Sequence, residues 1–217
     1  MEDAVDAGVY VLIDWHIHAD PSHYTEEAVA FFSEQARHHG HLPNVIYEIC
    51  NEPAGVGWSE VIKPYAEQVI AAIREHDPDN IILVGTPGLS RNIDEAIADP
   101  LPPELGSVMY ALHYYTGEQD LTTMQEKAAA AQDAGMAVFV SSWKASSYDM
   151  NPVDYARAEQ WAAFMEERDI SWVYWGLNNK DEPASLLKPT ASMAGPWDED
   201  DLTENGQWWY QRLRPRP

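Results

Sequence analysis

Asn44-Val45-Ile46-Tyr47-Glu48-Ile49-Cys50-Asn51-Glu52-Pro53 is the stretch on which the fold turns. An apolar, β-branched run stops abruptly at Asn-Glu-Pro. Val45, Ile46 and Ile49 suit a parallel strand covered on both faces. Pro53 has no N–H to donate and ends the ladder. A strand of this kind delivers a carboxylate to the rim of an α/β barrel, where a glutamate with an asparagine beside it is placed to act as a general acid. The alternative is a strand that simply runs into a solvated loop, because three-residue matches are cheap.

Outward from this strand the chain alternates strand and helix six times, without an internal repeat or a low-complexity linker. Apolar runs predict strands near 9–15, 44–50, 80–85, 107–113, 136–142 and 171–177. Helical spacing predicts a helix over 25–40 with Ala28, Val29, Phe31, Phe32 and Ala36 inward, and one over 60–76 with Val61, Tyr65, Val69, Ile70 and Ile73 inward. A shorter helix follows at 94–98, then an alanine-rich one at 122–134. The last two are 152–168, with Tyr155, Trp161, Phe164 and Met165 on one stripe, and 202–213. Aromatic stripes at this spacing read as core. The alternation implies a parallel sheet with right-handed crossovers.

At 217 residues the chain is long enough for one domain with a substantial core. No run is long or pure enough to span a membrane. Met1-Glu2-Asp3 is acidic and opens no apolar leader, so no secretory signal is read. The lone Cys50 leaves no intramolecular disulfide and no cysteine-based metal cluster. Thirty-six acidic residues against thirteen basic give a net charge of −23. Such a surface repels nucleic acid and anionic membranes, and suits concentrated salt, where self-repulsion is screened. His16, His18, Asp20 and His23 form a dense polar cluster and His38-His39-Gly40-His41 a second. Both read as solvated rather than zinc-binding. No cofactor motif is present.

Six segments carry a resemblance, in order. They are Val11-Leu12-Ile13-Asp14-Trp15-His16, the Asn-Glu-Pro strand, Ile81-Ile82-Leu83-Val84-Gly85-Thr86-Pro87, and Val108-Met109-Tyr110-Ala111-Leu112-His113-Tyr114-Tyr115. The last two are Ala137-Val138-Phe139-Val140-Ser141-Ser142-Trp143 and Ile170-Ser171-Trp172-Val173-Tyr174-Trp175-Gly176-Leu177, followed by Asn179-Lys180-Asp181-Glu182. Over nearly its whole length the chain resembles the bacterial endo-β-1,4-glucanases (cellulases) of glycoside hydrolase family 5. The fold this implies is α/β, an incomplete TIM-type barrel whose six β/α units match strands 3–8 of a (β/α)8 barrel. Met1 to Gly8 then looks like the tail of the second helix. Without the first two strands, the edges at 9–15 and 171–177 lack partners, which sheets avoid. The sheet then closes as a smaller barrel, pairs its edges with a second chain, or is covered by other segments. Self-association through the open side is the favoured outcome.

Retaining members of such families use two glutamates about 5–5.5 Å apart. By resemblance Glu52 is the acid/base, and Asn51 hydrogen-bonds the sugar 2-hydroxyl. The nucleophile segment, usually Thr-Glu-Trp-Gly-Thr-Ser, here reads Ser141-Ser142-Trp143-Lys144-Ala145-Ser146. Ser142 thus stands at the nucleophile position. A serine hydroxyl needs a base to attack, and the ether-like product of its attack would be as hard to break as the substrate. Lys144 and Ala145 depart from the pattern too, so the whole loop has diverged, and Lys144 is expected to offset lost charge by pairing with Glu52. An inverting route through another carboxylate needs a wider spacing, about 6.5–9.5 Å, with Asp149 or Glu182 as its base. The resemblance makes His16 a substrate contact, His113 and Tyr115 the pair flanking the nucleophile, and Trp175 the platform under the sugar. Lys180 and Glu182 become hydroxyl ligands on the non-reducing side. Leu89 stands where the family usually has a tryptophan.

Three readings follow: an altered glucanase acting on β-1,4-glucan, an inactive relative that binds cello-oligosaccharides, or a degenerate fragment. The resemblance also implies an extracellular setting.

Overall fold

The computed structural model describes residues 1–146 and 152–213. Six strands lie among them: β1 (Val11–Asp14), β2 (Val45–Glu48), β3 (Ile81–Val84), β4 (Val108–Tyr115), β5 (Val138–Lys144) and β6 (Ser171–Tyr174). Helices α1 (Glu2–Ala7), α2 (Thr25–His39), α3 (Lys63–Arg74), α4 (Pro87–Ser90, a single turn with left-handed backbone inside it), α5 (Leu121–Asp133), α6 (Tyr155–Glu167) and α7 (Glu204–Leu213) alternate with them. The strands follow chain order in the sheet, β1-β2-β3-β4-β5-β6. Consecutive β/α units in that order make an incomplete TIM-type barrel, as the resemblance implies. The chain divides into two compact units, Met1–His113 with Glu126–Phe139, and Tyr114–Gln125 with Val140–Pro217.

In the first unit β1 to β4 pair in parallel, with Leu12 beside Ile46 and Asp14 beside Glu48. Alternation sends successive side chains to opposite faces. One face carries Leu12, Ile46, Leu83, Met109 and Phe139, which pack with Ile81 into an apolar layer. The other face meets the helices, where Tyr47 packs edge-on against Phe32 at 6.2 Å. Phe32, Ala28 and Ala36 of α2 are buried, as are Tyr65, Val69, Ile70 and Ile73 of α3. The stripes read from spacing are therefore core. Below the strands the buried Asp77 accepts from Tyr47 Oη at 2.8 Å and from the amides of Asp79 and Asn80. Arg74 donates to the carbonyls of Asp77, Asn80 and Leu105.

The helix predicted over 60–76 opens instead with a wide turn at Trp58–Ile62. Pro64 lacks the N–H for a regular i→i−4 bond, and Ile62 N reaches back five residues to Gly57 O at 3.3 Å. The segment predicted as a helix at 94–98 forms a single 3-10 turn at Ile93–Ala96.

The second unit is built on aromatic packing. Trp143 of β5 lies 5.0 Å from Trp209 of α7 and 5.4 Å from Tyr174 of β6, between ring centroids. The Tyr114 ring lies 4.4 Å from that of Trp161 of α6, tilted against it. Asp154 caps α6 by accepting from Arg157 N at 3.0 Å. Strand β6 ends at Tyr174 rather than at 177. Beyond it the chain folds on Asn178, whose Oδ1 takes Ser185 Oγ at 2.6 Å and Lys180 N at 3.0 Å.

Candidate active site

Two groups of polar side chains stand at strand ends, one in each unit. In the first unit the pairing of β1 with β2 runs past both strands. Asn51 N donates to Trp15 O (3.2 Å), Glu52 N to Ile17 O (3.0 Å) and Ala54 N to Ala19 O (3.2 Å). The parity set by Asp14 and Glu48 therefore continues. Asp14, His16 and His18 share one face of the first segment, and Glu48 and Glu52 share the matching face of the second.

Glu52 is buried. His113 Nδ1 donates to its Oε1 at 3.0 Å, and His18 Nε2 lies 3.4 Å from Oε2. Burial pushes the Glu52 carboxyl up, but the hydrogen bond and charge of His113, with His18 and Arg91, outweigh it and hold its pKa below the usual glutamate value. His113 is sealed from solvent, with Nε2 3.9 Å from the buried Glu48. Burial pulls its pKa down, and the two carboxylates more than reverse this. Asp14 accepts from His16 Nδ1 at 2.6 Å. Its pKa rises to about 6, through burial first and the charge of Glu48 second.

The Asn-Glu-Pro turn is clasped from the β3 side. Ser90 Oγ donates to Asn51 O at 2.7 Å, and Leu89 N to Pro53 O at 3.0 Å. Leu89 and Ser90 both take left-handed backbone, at φ 64° and 58°. Such strain in non-glycine residues persists only where the surroundings enforce it. Gly85 leaves the turn room to approach, since a Cβ there would sit 2.0 Å from Cys50 O.

In the second unit Ser142 is buried at the end of β5, and its Oγ lies 2.9 Å from Tyr115 Oη. The Lys144 ammonium sits 5.7 Å from the centre of the Tyr115 ring and 4.0 Å from Glu182 Oε1. Burial lowers the Lys144 pKa, Lys180 adds to this, and Glu182 and Glu118 oppose it. Trp175 donates its amide to Trp143 O at 2.9 Å and keeps its side chain exposed. Lys180 is exposed.

Several expectations change in detail. His113 is buried and braces Glu52 and Glu48. Within the first unit the charges that face Glu52 are His113, His18 and Arg91, and within the second those that face Lys144 include Glu182 and Glu118. The histidine cluster near residue 20 resolves into separate pairs, His16 with Asp14, His18 with Glu52, and His23 with Asp20 at 3.7 Å. Among the described residues no three such side chains converge on a metal position. Asp149 lies outside the described residues. Sequence reasoning missed Glu48 and His18 as neighbours of Glu52 and its brace. The signal was the matched alternation of Asp14-x-His16-x-His18 against Glu48-x-x-x-Glu52.

Comparison with known proteins adds kinship to this geometry. An endoglucanase of Clostridium saccharobutylicum is 42% identical over 210 residues, covering 95% of this chain and 46% of that protein. The chain thus spans about half the length of the curated relatives it matches. The catalytic domain of Thermobifida fusca endoglucanase Cel5A, also solved in complex with cellotetraose, superposes with a TM-score of 0.89 at 34% identity, over 98% of this chain and 72% of that one. A thermostable and highly halotolerant cellulase from an Icelandic hot spring isolate superposes at 0.87 with 30% identity, over 96% and 69%. The family model described as Cellulase (glycosyl hydrolase family 5) matches residues 1–181, and the chain belongs to that family.

Proposed function

We propose that this chain, acting as one glycosidase-type domain, binds β-1,4-glucan and cleaves it weakly, with Glu52 as the acid. The observation that carries the reading is the buried Glu52 carboxylate, held at a strand end by an imidazole on each oxygen. Asn51 precedes it for the 2-hydroxyl. His16, Tyr115, Trp175, Lys180 and Glu182 are the sugar contacts, and the exposed indole of Trp175 suits the C–H face of a β-linked glucose. Ser142 at the nucleophile position closes the covalent route, which leaves a direct attack by water with Glu182 as its base. Kinship with bacterial endoglucanases supports an extracellular setting.

The second reading, an inactive relative that retains cello-oligosaccharide binding, is favoured by Ser142 itself. Its hydroxyl is tied to that of Tyr115 at 2.9 Å, and a phenol at neutral pH is no base for it.

Reducing-sugar release from soluble β-1,4-glucan separates the two. Weak release that disappears in Glu52→Gln supports the acid. Ser142→Glu is expected to raise the rate at least about a hundredfold by restoring an ester-forming nucleophile. Equal release by wild type and Glu52→Gln, with no gain in Ser142→Glu, sinks the glucanase reading. Binding of cellotetraose without cleavage then selects the inactive relative.

A further inference from the structure

The two imidazoles on Glu52 differ in their access to water. His113, on Oε1, is sealed from solvent and backed by the equally buried Glu48. His18, 3.4 Å from Oε2, has a side chain that is 56% exposed. A buried carboxylate–imidazole–carboxylate chain therefore meets solvent through a second, outward-facing imidazole.

This difference bears on the protons of the reaction, and it rests on Glu52 being the acid. In a two-step retaining hydrolysis the acid gives a proton to the leaving oxygen. It regains one from the water that opens the intermediate, so it restores itself. Serine at the nucleophile position closes that second step. In a single displacement the proton of the attacking water goes to a different base, and Glu52 ends the cycle ionised. It must then be reprotonated from bulk water before it can act again. The hold of His113 on the ionised form makes that step harder still.

We propose that His18 is the proton-exchange partner of Glu52. A proton passes from His18 Nε2–H to Glu52 Oε2, and His18 takes its replacement from solvent, while the base that received the proton of the attacking water releases it there. Imidazole is the side chain suited to such traffic near neutral pH. His18 touches no reacting atom and acts as a positioning residue through Glu52. The charged groups around the pair are His113 and Glu48 on the buried side and Arg91 near the carboxylate. His16, whose ring is 5.1 Å from that of His18, adds its pairing with Asp14.

His18→Asn tests the proposal by two independent readouts. The first is the titration of the Glu52 carboxyl by carbon-13 NMR, with Glu52→Gln identifying the resonance. Loss of His18 is expected to move the midpoint up by about half a pH unit. An unmoved midpoint overturns the proposal, and this holds even where turnover is too slow to follow. The second is hydrolysis of soluble β-1,4-glucan. The rate is expected to fall about tenfold in His18→Asn and to recover on addition of free imidazole. With Ser142→Glu reopening the two-step route, the same substitution is expected to cost at most about twofold. A loss that imidazole does not restore, or an equal loss in both backgrounds, overturns the proposal. Failure of the Glu52 reading itself shows separately, as indifference of hydrolysis to Glu52→Gln.

Discussion

A carboxylate that donates a proton at neutral pH usually needs its pKa raised. Glu52 goes the other way: burial raises its pKa, but His113, with His18 and Arg91, more than cancels this. The protonated form is therefore scarce near neutrality, and Glu52-dependent turnover is expected to rise as pH falls. Asp14 shows the opposite sign. Its folded-state pKa of about 6 lies above the ordinary 3.8, so its contribution to stability is complete below pH 3.8 and is lost as pH rises through 6. The loss amounts to about 2–3 kcal/mol. Urea midpoints of wild type and Asp14→Asn are expected to diverge over that interval, with the Asn variant gaining. A constant difference from pH 4 to 7 would mean that Asp14 ionises as it would in water.

Among the elements, the turn after β2 is the one whose position sets the chemistry in the proposed role of Glu52. It is held from the β1 side by the backbone bonds of Asn51, Glu52 and Ala54, and from the β3 side by Leu89 and Ser90. Gly85 is the point of closest approach. Gly85→Ala would set a Cβ 2.0 Å from Cys50 O and 2.8 Å from Pro53 Cδ, and backbone must give way. The expected cost is about 3 kcal/mol of stability. Any turnover should also fall at least about tenfold, because a displaced acid loses its alignment. A Gly85→Ala protein with wild-type melting and unchanged turnover would show that the turn is not held there.

For the whole molecule the governing quantity is a net charge of −23. Self-repulsion weakens as the screening length drops from about 10 Å at 0.1 M salt to about 3 Å at 1 M. The melting temperature is therefore expected to climb over that range, and a flat response counts against salt tolerance. In the first unit no residue of β1 is fully buried, whereas all of β2 is, and Val9 and Tyr10 beside β1 are exposed. Sedimentation across the same salt series is expected to show pairing of two copies at high salt, with monomer throughout as the result that removes the idea. Much of this protein was legible along the chain. Strand and helix spacing and the family depend on local patterns, because periodicity and motif order survive without knowledge of what packs where. The surroundings of Glu52 were not. His113 stands 61 residues away and His18 on a different strand extension, so only the register of β1 against β2 and the arrival of β4 bring both imidazoles to one carboxylate. Burial then decides which imidazole is locked and which can trade protons with water, and burial is a property of the tertiary structure alone.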